Sequence, residues 1–211
     1  MKKHIIFALL FFSLLPASSL LAQKGIVKLN AGYDVGLPLG NFKSNYVSNI
    51  SPRGLMGDLS LGINNKWSVG LGFGFQDFYQ KYPRTVYDLA PNQQISAVLL
   101  NSIQAVPVLA KATFTPFQGT TKLIQPYVAA GAGISFVTYN QYVGEFSSYN
   151  SSGGKLTAMA DAGIQLPFNR RNNSNTAAQV GVSYNYTKFG MSDAMNINMI
   201  GIHAGIIFQL H

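Results

Sequence analysis

The stretch WSVGLGFGFQDF, Trp67 to Phe78, alternates bulky and bare side chains, with Gly70, Gly72 and Gly74 set between Val69, Leu71, Phe73 and Phe75. Successive side chains of a strand point to opposite faces, so this segment reads as a strand with one fat apolar face and one nearly empty one. Its reading depends on what lies against each face. If the fat face packs a core, the chain is a soluble β-protein; if it meets acyl chains, the bare face lines a narrow interior.

Composition favours the second option. Of 211 residues, 47% are hydrophobic and only 10% charged, against a usual charged share of about 25%. Twenty-one glycines and eleven tyrosines accompany this scarcity of charge. No apolar run beyond the N-terminus is long enough for a membrane helix, which needs about 20 residues. Cysteine is absent, which removes disulfides, thiolate chemistry and a lipid-anchored cysteine.

The N-terminus resembles an export signal. Lys2, Lys3 and His4 precede the apolar core IIFALLFFSLL, then PASSLLA, the arrangement of charged, apolar and small-residue regions that signal cleavage requires. We expect residues 1–22 to be a cleaved signal peptide and residues 23–211 to form one barrel domain.

Seven further segments share the period-two pattern. Lys24 to Leu37 carries Val27, Leu29, Ala31, Tyr33, Val35 and Leu37 on one face, and Arg53 to Ile63 carries Leu55, Leu59 and Leu61. Beyond the opening stretch come Val106–Ala112, Val128–Phe136, Leu156–Leu166, Val180–Tyr186 and Ile200–Leu210, each read at every second residue. Pro107 weakens the fourth segment, because it cannot donate to a ladder. None of these apolar faces contains a charge. The opposite faces hold Lys28, Asn30, Asp34, Asp58, Ser60, Gln76, Lys111, Lys155, Asp161, Gln165, Asn185 and His203 among many glycines.

An apolar exterior around a polar interior, in segments of about 9 to 11 residues, is the pattern of a transmembrane barrel. A soluble barrel would need the apolar bulk of eight strands to fit one small lumen. The expected fold is therefore all-β, an eight-stranded antiparallel up-and-down transmembrane β-barrel with both termini in the periplasm. Connections support it: Pro38–Pro52, Tyr79–Ser102 and Asn140–Gly154 are long outer loops, alternating with the shorter Asn64–Lys66, Thr115–Leu123 and Asn169–Thr176. The last outer connection, Phe189–Met195, is the exception. Aromatic residues fall at two levels, Trp67, Phe114 and Phe208 inside and Tyr33, Phe75, Phe136 and Tyr186 outside, as interfacial girdles would.

The motifs NAGYDVGLPLGNF (30–42), IQAVPVLAKATF (103–114), PYVAAGAGISF (126–136) and the closing GIHAGIIFQL (201–210) resemble those of small outer-membrane β-barrel proteins of the PorT-like and OmpX-like kind. The resemblance spans nearly the whole mature chain and implies a barrel in the outer membrane. It also implies a role as accessory subunit of a surface or export assembly. One departure is His211, where such barrels end on an aromatic residue.

By parity the lumen holds the cations Lys28, Lys111 and Lys155 with the anions Asp34, Asp58 and Asp161, beside His203. Asp58, Asp161 and His203 count to mid-height and Lys111 lies slightly nearer the periplasm. Because unpaired buried charges are costly, we expect a paired, hydrogen-bonded plug; a proton or ion relay through His203 is the sharper reading of the same residues. No nucleophile and base pair stands out, since the mature chain's two histidines are His203 in mid-strand and His211 at the end. GLGFG and GAG lack the strand, turn and helix that a nucleotide loop requires, and no cofactor or metal is expected.

The partners expected are outer-membrane lipids, with no nucleic acid, and two surfaces invite a protein. Lys24, Lys66, Lys122, Arg170 and Arg171 form a basic inner rim, suited to lipid phosphates or an acidic periplasmic protein. Outside, QKYPRTVYDLAPNQQ (80–94) and NQYVGEFSSYNSSGG (140–154) have the composition of adaptable loops. Two functional readings follow: a non-enzymatic barrel with a structural or protein-interaction role, or a narrow channel for a small ligand.

Overall fold

The computed structural model describes residues 25–90, 93–117, 123–168, 176–188 and 196–210; the expected signal peptide, Lys24, Lys122, Arg170, Arg171 and His211 lie outside them. The elements in order are β1 (Val27–Pro38), α1 (Gly40–Asn45), β2 (Ser51–Gly62), β3 (Trp67–Lys81), β4 (Thr85–Ala90), β5 (Gln93–Ala97), β6 (Leu99–Phe114), β7 (Gln125–Val143), β8 (Phe146–Pro167), β9 (Thr176–Lys188) and β10 (Asn196–Leu210).

Eight of these strands form a closed antiparallel barrel, in which β1 pairs with β2 on one side and β10 on the other, while β4 and β5 make a separate hairpin. Closure runs from Val27 opposite Leu210 to Pro38 opposite Met199. With no ladder left open through the apolar belt, the backbone can cross lipid without unsatisfied polar groups. The predicted polarity is the one observed. Val69, Leu71, Phe73 and Phe75 of the opening stretch are exposed on the outer face. Gly70 and Gly72 face inward, where the alkyl stem of Lys111 passes over Gly72, 3.7 Å from the position a Cβ would take.

Leu71 lies between Leu59 and Ala110 in the register and is 58% exposed. Leu71→Arg is expected to destabilise the barrel by about 2–4 kcal/mol in lipid vesicles, the cost of a cation on the lipid face near the midplane. Urea titration measures it; an unchanged midpoint would contradict the outward placement.

Pro107 does not break its strand. β6 pairs with β7 straight through it, Pro107 opposite Ser135, whereas the β3 ladder jumps from Phe73↔Val108 to Gln76↔Ala105. The missing donor is thus confined to one edge, and bare Gly74 accommodates the ring there, Pro107 Cγ being 3.3 Å from its would-be Cβ.

The outer connections differ from the expected loops. Within 38–52 the chain forms α1, whose Phe42, followed by Val47, enters the barrel mouth. These residues pack with Phe78, Ile103, Val137, Tyr139, Ile197 and Met199 as a buried apolar cluster. The strand parity therefore holds to the outer end, but there the lumen is oily rather than polar. The 79–102 connection contains the β4–β5 hairpin. The 140–154 segment is not a loop: β7 and β8 continue as a ladder to Val143 opposite Phe146, reversing at Gly144, whose φ of 65° suits glycine. Polar Ser, Asn and Tyr composition marks solvent exposure and says nothing against strand pairing, which is why the loop reading failed.

Candidate functional site

Two places in this fold collect functional groups: the polar lower lumen and the part of the sheet that rises beyond the membrane.

In the lumen, register decides which side chains meet. Asn30 and Asp58 are cross-strand partners, and Asn30 Nδ2 donates to Asp58 Oδ2 at 2.9 Å. Lys111 has Gly70 and Gly131 as its two strand neighbours. Free of flanking side chains, it reaches across the lumen to Asp58 Oδ2 at 3.4 Å and Asp161 Oδ2 at 3.5 Å. All three are nearly removed from solvent, with side-chain exposures of 7%, 12% and 2%.

Tyr127 is the hub. Its ring occupies the space left by Gly163 and Gly181: a Cβ on Gly163 would lie 2.8 Å from Cε1 and one on Gly181 2.4 Å from the hydroxyl. The hydroxyl meets Asp161 Oδ1 at 3.1 Å, His203 Nε2 at 3.0 Å and Gln179 Nε2 at 2.8 Å. A phenol has one proton and two lone pairs. An ionised Asp161 can only accept, so the phenol donates to it, and Gln179 donates to the phenol oxygen. His203 must then donate from Nε2, which assigns that nitrogen its proton. Asn30 Nδ2 closes the circuit with Gln179 Oε1 at 3.5 Å.

The structure thus gathers Asp58, Lys111, Asp161 and His203, together with Tyr127, Asn30 and Gln179. Asp34 is Cα partner to His203 and buried, with Oδ1 lacking a hydrogen-bond partner among the described residues. Lys155 lies on β8 opposite Ser135, towards the outer side of the network. Lys28 is buried on β1 and joins none of the ion pairs among the described residues. Sequence parity named the charges but could not name the neutral groups that tie them. Tyr127 read as filler beside a glycine; its hydroxyl's role needs the alignment of β7, β9 and β10.

The hub can hold protons and charge, and its His203 and Asp161 side chains are each 2% exposed. Among the described residues no three His, Cys, Asp or Glu side chains converge on a metal.

The aromatic positions all lie on the outer face or its edges. Trp67 and Phe114 are register partners with ring centroids 4.8 Å apart, and Phe208 stands opposite Leu29 and Thr176. At the other level Tyr33, Leu55 and Phe75 follow one another across three strands, Phe136 faces Val106, and Tyr186 faces Ala158.

Above that level β3, β6, β7 and β8 continue as paired strands, and their outward residues turn polar at Asp77, Gln104 and Thr138. From Phe136 to Val143 the β7–β8 ribbon extends roughly 20–25 Å at ~3.3 Å per residue. Its two edges are treated differently. The β3 edge is covered by the segment after α1: Ser51 Oγ donates to the Asp77 carbonyl, Ser48 N and Oγ donate to Gln80 Oε1, and Arg53 bridges Asp77 at 3.3 Å. On the other edge, among the described residues, β9 pairs with β8 from Thr157 to Pro167. From Phe146 to Leu156, β8 is paired on its β7 side alone among the described residues.

Solved structures of surface and outer-membrane proteins are similar to this chain. The crystal structure of Neisserial surface protein A superposes with a TM-score of 0.51 at 14% identity, covering 88% of this chain and 97% of that one. Ail, the attachment invasion locus protein of Yersinia pestis, solved with the heparin analogue sucrose octasulfate, gives 0.48 at 18% identity over 88% and 100% of the two chains. OprG from Pseudomonas aeruginosa gives 0.47 at 14% over 89% and 97%. No curated protein matches the chain. The family described as outer membrane protein beta-barrel domain matches residues 7–208. With a closed eight-stranded barrel, an apolar exterior and that match over most of its length, the chain belongs to the outer membrane protein beta-barrel domain family and resides in the outer membrane.

Proposed function

We propose that this protein is a non-enzymatic barrel that works by protein contact at the cell surface, as an accessory subunit of a surface or export assembly, taking an extended segment of its partner onto the β8 edge. The observation that carries this reading is the stretch of β8 from Phe146 to Gly154, beyond the outer aromatic level marked by Phe136, which among the described residues is paired on its β7 side alone. Sheet edges usually carry proline, lysine, a bulge or a covering segment. The β3 edge has its cover, while on β8 the small, uncharged sequence SSYNSSGG carries one register shift, opposite Gln141 and Tyr142, and is followed by Lys155. Such an edge offers main-chain donors and acceptors to an added strand.

A second copy in the same membrane is a poor occupant. Both copies run β8 from outside to inside, and strands tilted about 35–45° to the normal, related by an axis along that normal, cross instead of aligning. A strand from a different protein carries no such restriction.

The cysteine-free chain makes the test clean. With Asn150→Cys carrying a photoreactive label, irradiation of intact cells is expected to give a protein adduct, and the same label at Val180 on the lipid face none. In the purified pair, amides in 146–156 that exchange fast in the free barrel should become protected. Equal labelling at both sites, or unchanged exchange, sinks strand addition. The channel reading predicts conductance in planar bilayers. The observed lumen predicts none, because its outer mouth is filled by Phe42 and Val47 and below it Lys111 is ion-paired across the interior to Asp58 and Asp161.

A further inference from the structure

We infer that the outward face of β6 and β7 above the membrane is a docking surface for the sugars of the outer leaflet's glycolipid, lipopolysaccharide. Parity and register set this face. Val106 and Phe136 are partners at the outer aromatic level, and beyond them the outward residues are Gln104 beside Thr138, then Ser102 beside Asn140, then Leu100 beside Tyr142. Tyr79 of β3 flanks the middle row, opposite Ser102. At ~3.3 Å per residue and a strand tilt of about 35–45°, the three rows stand roughly 5–15 Å above Phe136. Lipid chains lie against the exposed Val106, Ile134 and Phe136, and a molecule seated there continues upward as its headgroup. The rows are thus continuous with the lipid face and stand where the sugars of an outer leaflet begin.

The chemistry of the rows selects a sugar. Inward amides of the same strands are consumed inside the barrel: Asn101 donates to the Tyr46 carbonyl, and Gln141 donates to Asn101 Oδ1 and the Tyr139 hydroxyl. The outward side chains of Gln104, Ser102, Thr138 and Asn140 make no hydrogen bond among the described residues. Main-chain groups are engaged on both sides, since β6 lies between β3 and β7, and β7 between β6 and β8. What the face presents is therefore neutral amides and hydroxyls, groups that both donate and accept, as a sugar hydroxyl does. The exposed Tyr142 ring adds an apolar plate for the C–H face of a pyranose.

Charge does not select the occupant. Residues 99–105 and 137–143 contain no charged side chain, and Arg53, on the β2 side, is engaged by Asp77 at 3.3 Å and by the Tyr79 ring. A phosphate finds no cation on β6 or β7. A protein partner finds no apolar core in the two lower rows. From β3 to β7 the field measures roughly 10 Å by 15 Å, enough for a short run of sugar rings. It is separate from the main-chain edge of β8, so this inference and strand addition can each fail alone.

The test places the refolded barrel in phosphatidylcholine nanodiscs alone, or with phosphatidylglycerol, lipid A or full-length lipopolysaccharide added, and follows the side-chain amide signals by NMR. Full-length lipopolysaccharide is expected to move the Gln104 and Asn140 signals, with Asn101 and Gln141 unmoved in all four. Gln104→Ala with Asn140→Ala should reduce several-fold the lipopolysaccharide retained by the barrel in mild detergent and leave the unfolding midpoint unchanged. A photoreactive label on Gln104→Cys in intact cells should be captured by lipopolysaccharide. Signals that move equally with phosphatidylglycerol or lipid A would reveal attraction by charge and overturn the sugar assignment. Signals that move in none of the lipids, or capture of the label by protein instead, overturn it as well.

Discussion

Lys111→Met is expected to lower the unfolding free energy of the barrel by about 3–5 kcal/mol, the usual consequence of removing one partner from a buried ion cluster. Among the described residues the lysine is the group that bridges Asp58 and Asp161. Without it two carboxylates share the lumen with Asn30, Tyr127, Gln179 and His203, of which the first three are neutral donors. The loss should come from stranded negative charge rather than from missing bulk, because methionine preserves most of the stem lying over Gly72. That cause is testable by subtraction. The triple variant Lys111→Met, Asp58→Asn, Asp161→Asn removes the three charges of the lysine's ion pairs and should recover most of the stability. Urea unfolding in lipid vesicles, followed through the single tryptophan, Trp67, measures both. Recovery would show that the cluster is compensated charge; a triple variant as unstable as the single one would show that its hydrogen-bond geometry is indispensable.

Phe42→Ala should cost about as much, roughly 3–5 kcal/mol, as expected for truncating a fully buried phenylalanine. Phe42 is 2% exposed and meets Phe78 edge-to-face at 5.1 Å. A helix as short as α1, Gly40–Asn45, is not stable by itself in water. It is held by its apolar anchors and by Leu39 N donating to the Asn198 carbonyl at 2.9 Å. Loss of the ring should therefore release α1, speed amide exchange over residues 39–47 and admit an apolar dye to the outer lumen, all readable without a partner. Phe42→Leu should retain most of the effect of the wild-type side chain. Conductance should remain absent in Phe42→Ala, because the Lys111 cluster still closes the lower lumen. A conducting variant would mean that the helix alone seals the barrel, and would revive the channel reading.

Which residues face lipid was written in the chain, because a side-chain period of two and the cost of charge in hydrocarbon leave a single consistent register for each strand. The bulky set from Trp67 to Phe75 and the glycines between them went to the two faces that this argument assigns. Strand number and the charged residues of the interior followed from the same parity. Three things were decided only by the folded barrel. The order of neighbours around the ring placed Tyr127 between Asp161, Gln179 and His203, since hydrogen bonds depend on the stagger between strands and parity carries no information about stagger. Phe42 and Val47 left the expected loop to fill the outer mouth, because the lumen there is lined by Phe78, Ile103 and Val137 and an oily cavity open to water is unfavourable. The pairing of β7 with β8 up to Val143 opposite Phe146 was the third, because strand length is a property of pairing, and a polar run such as SSYNSSGG reads the same whether it is a loop or a strand in water.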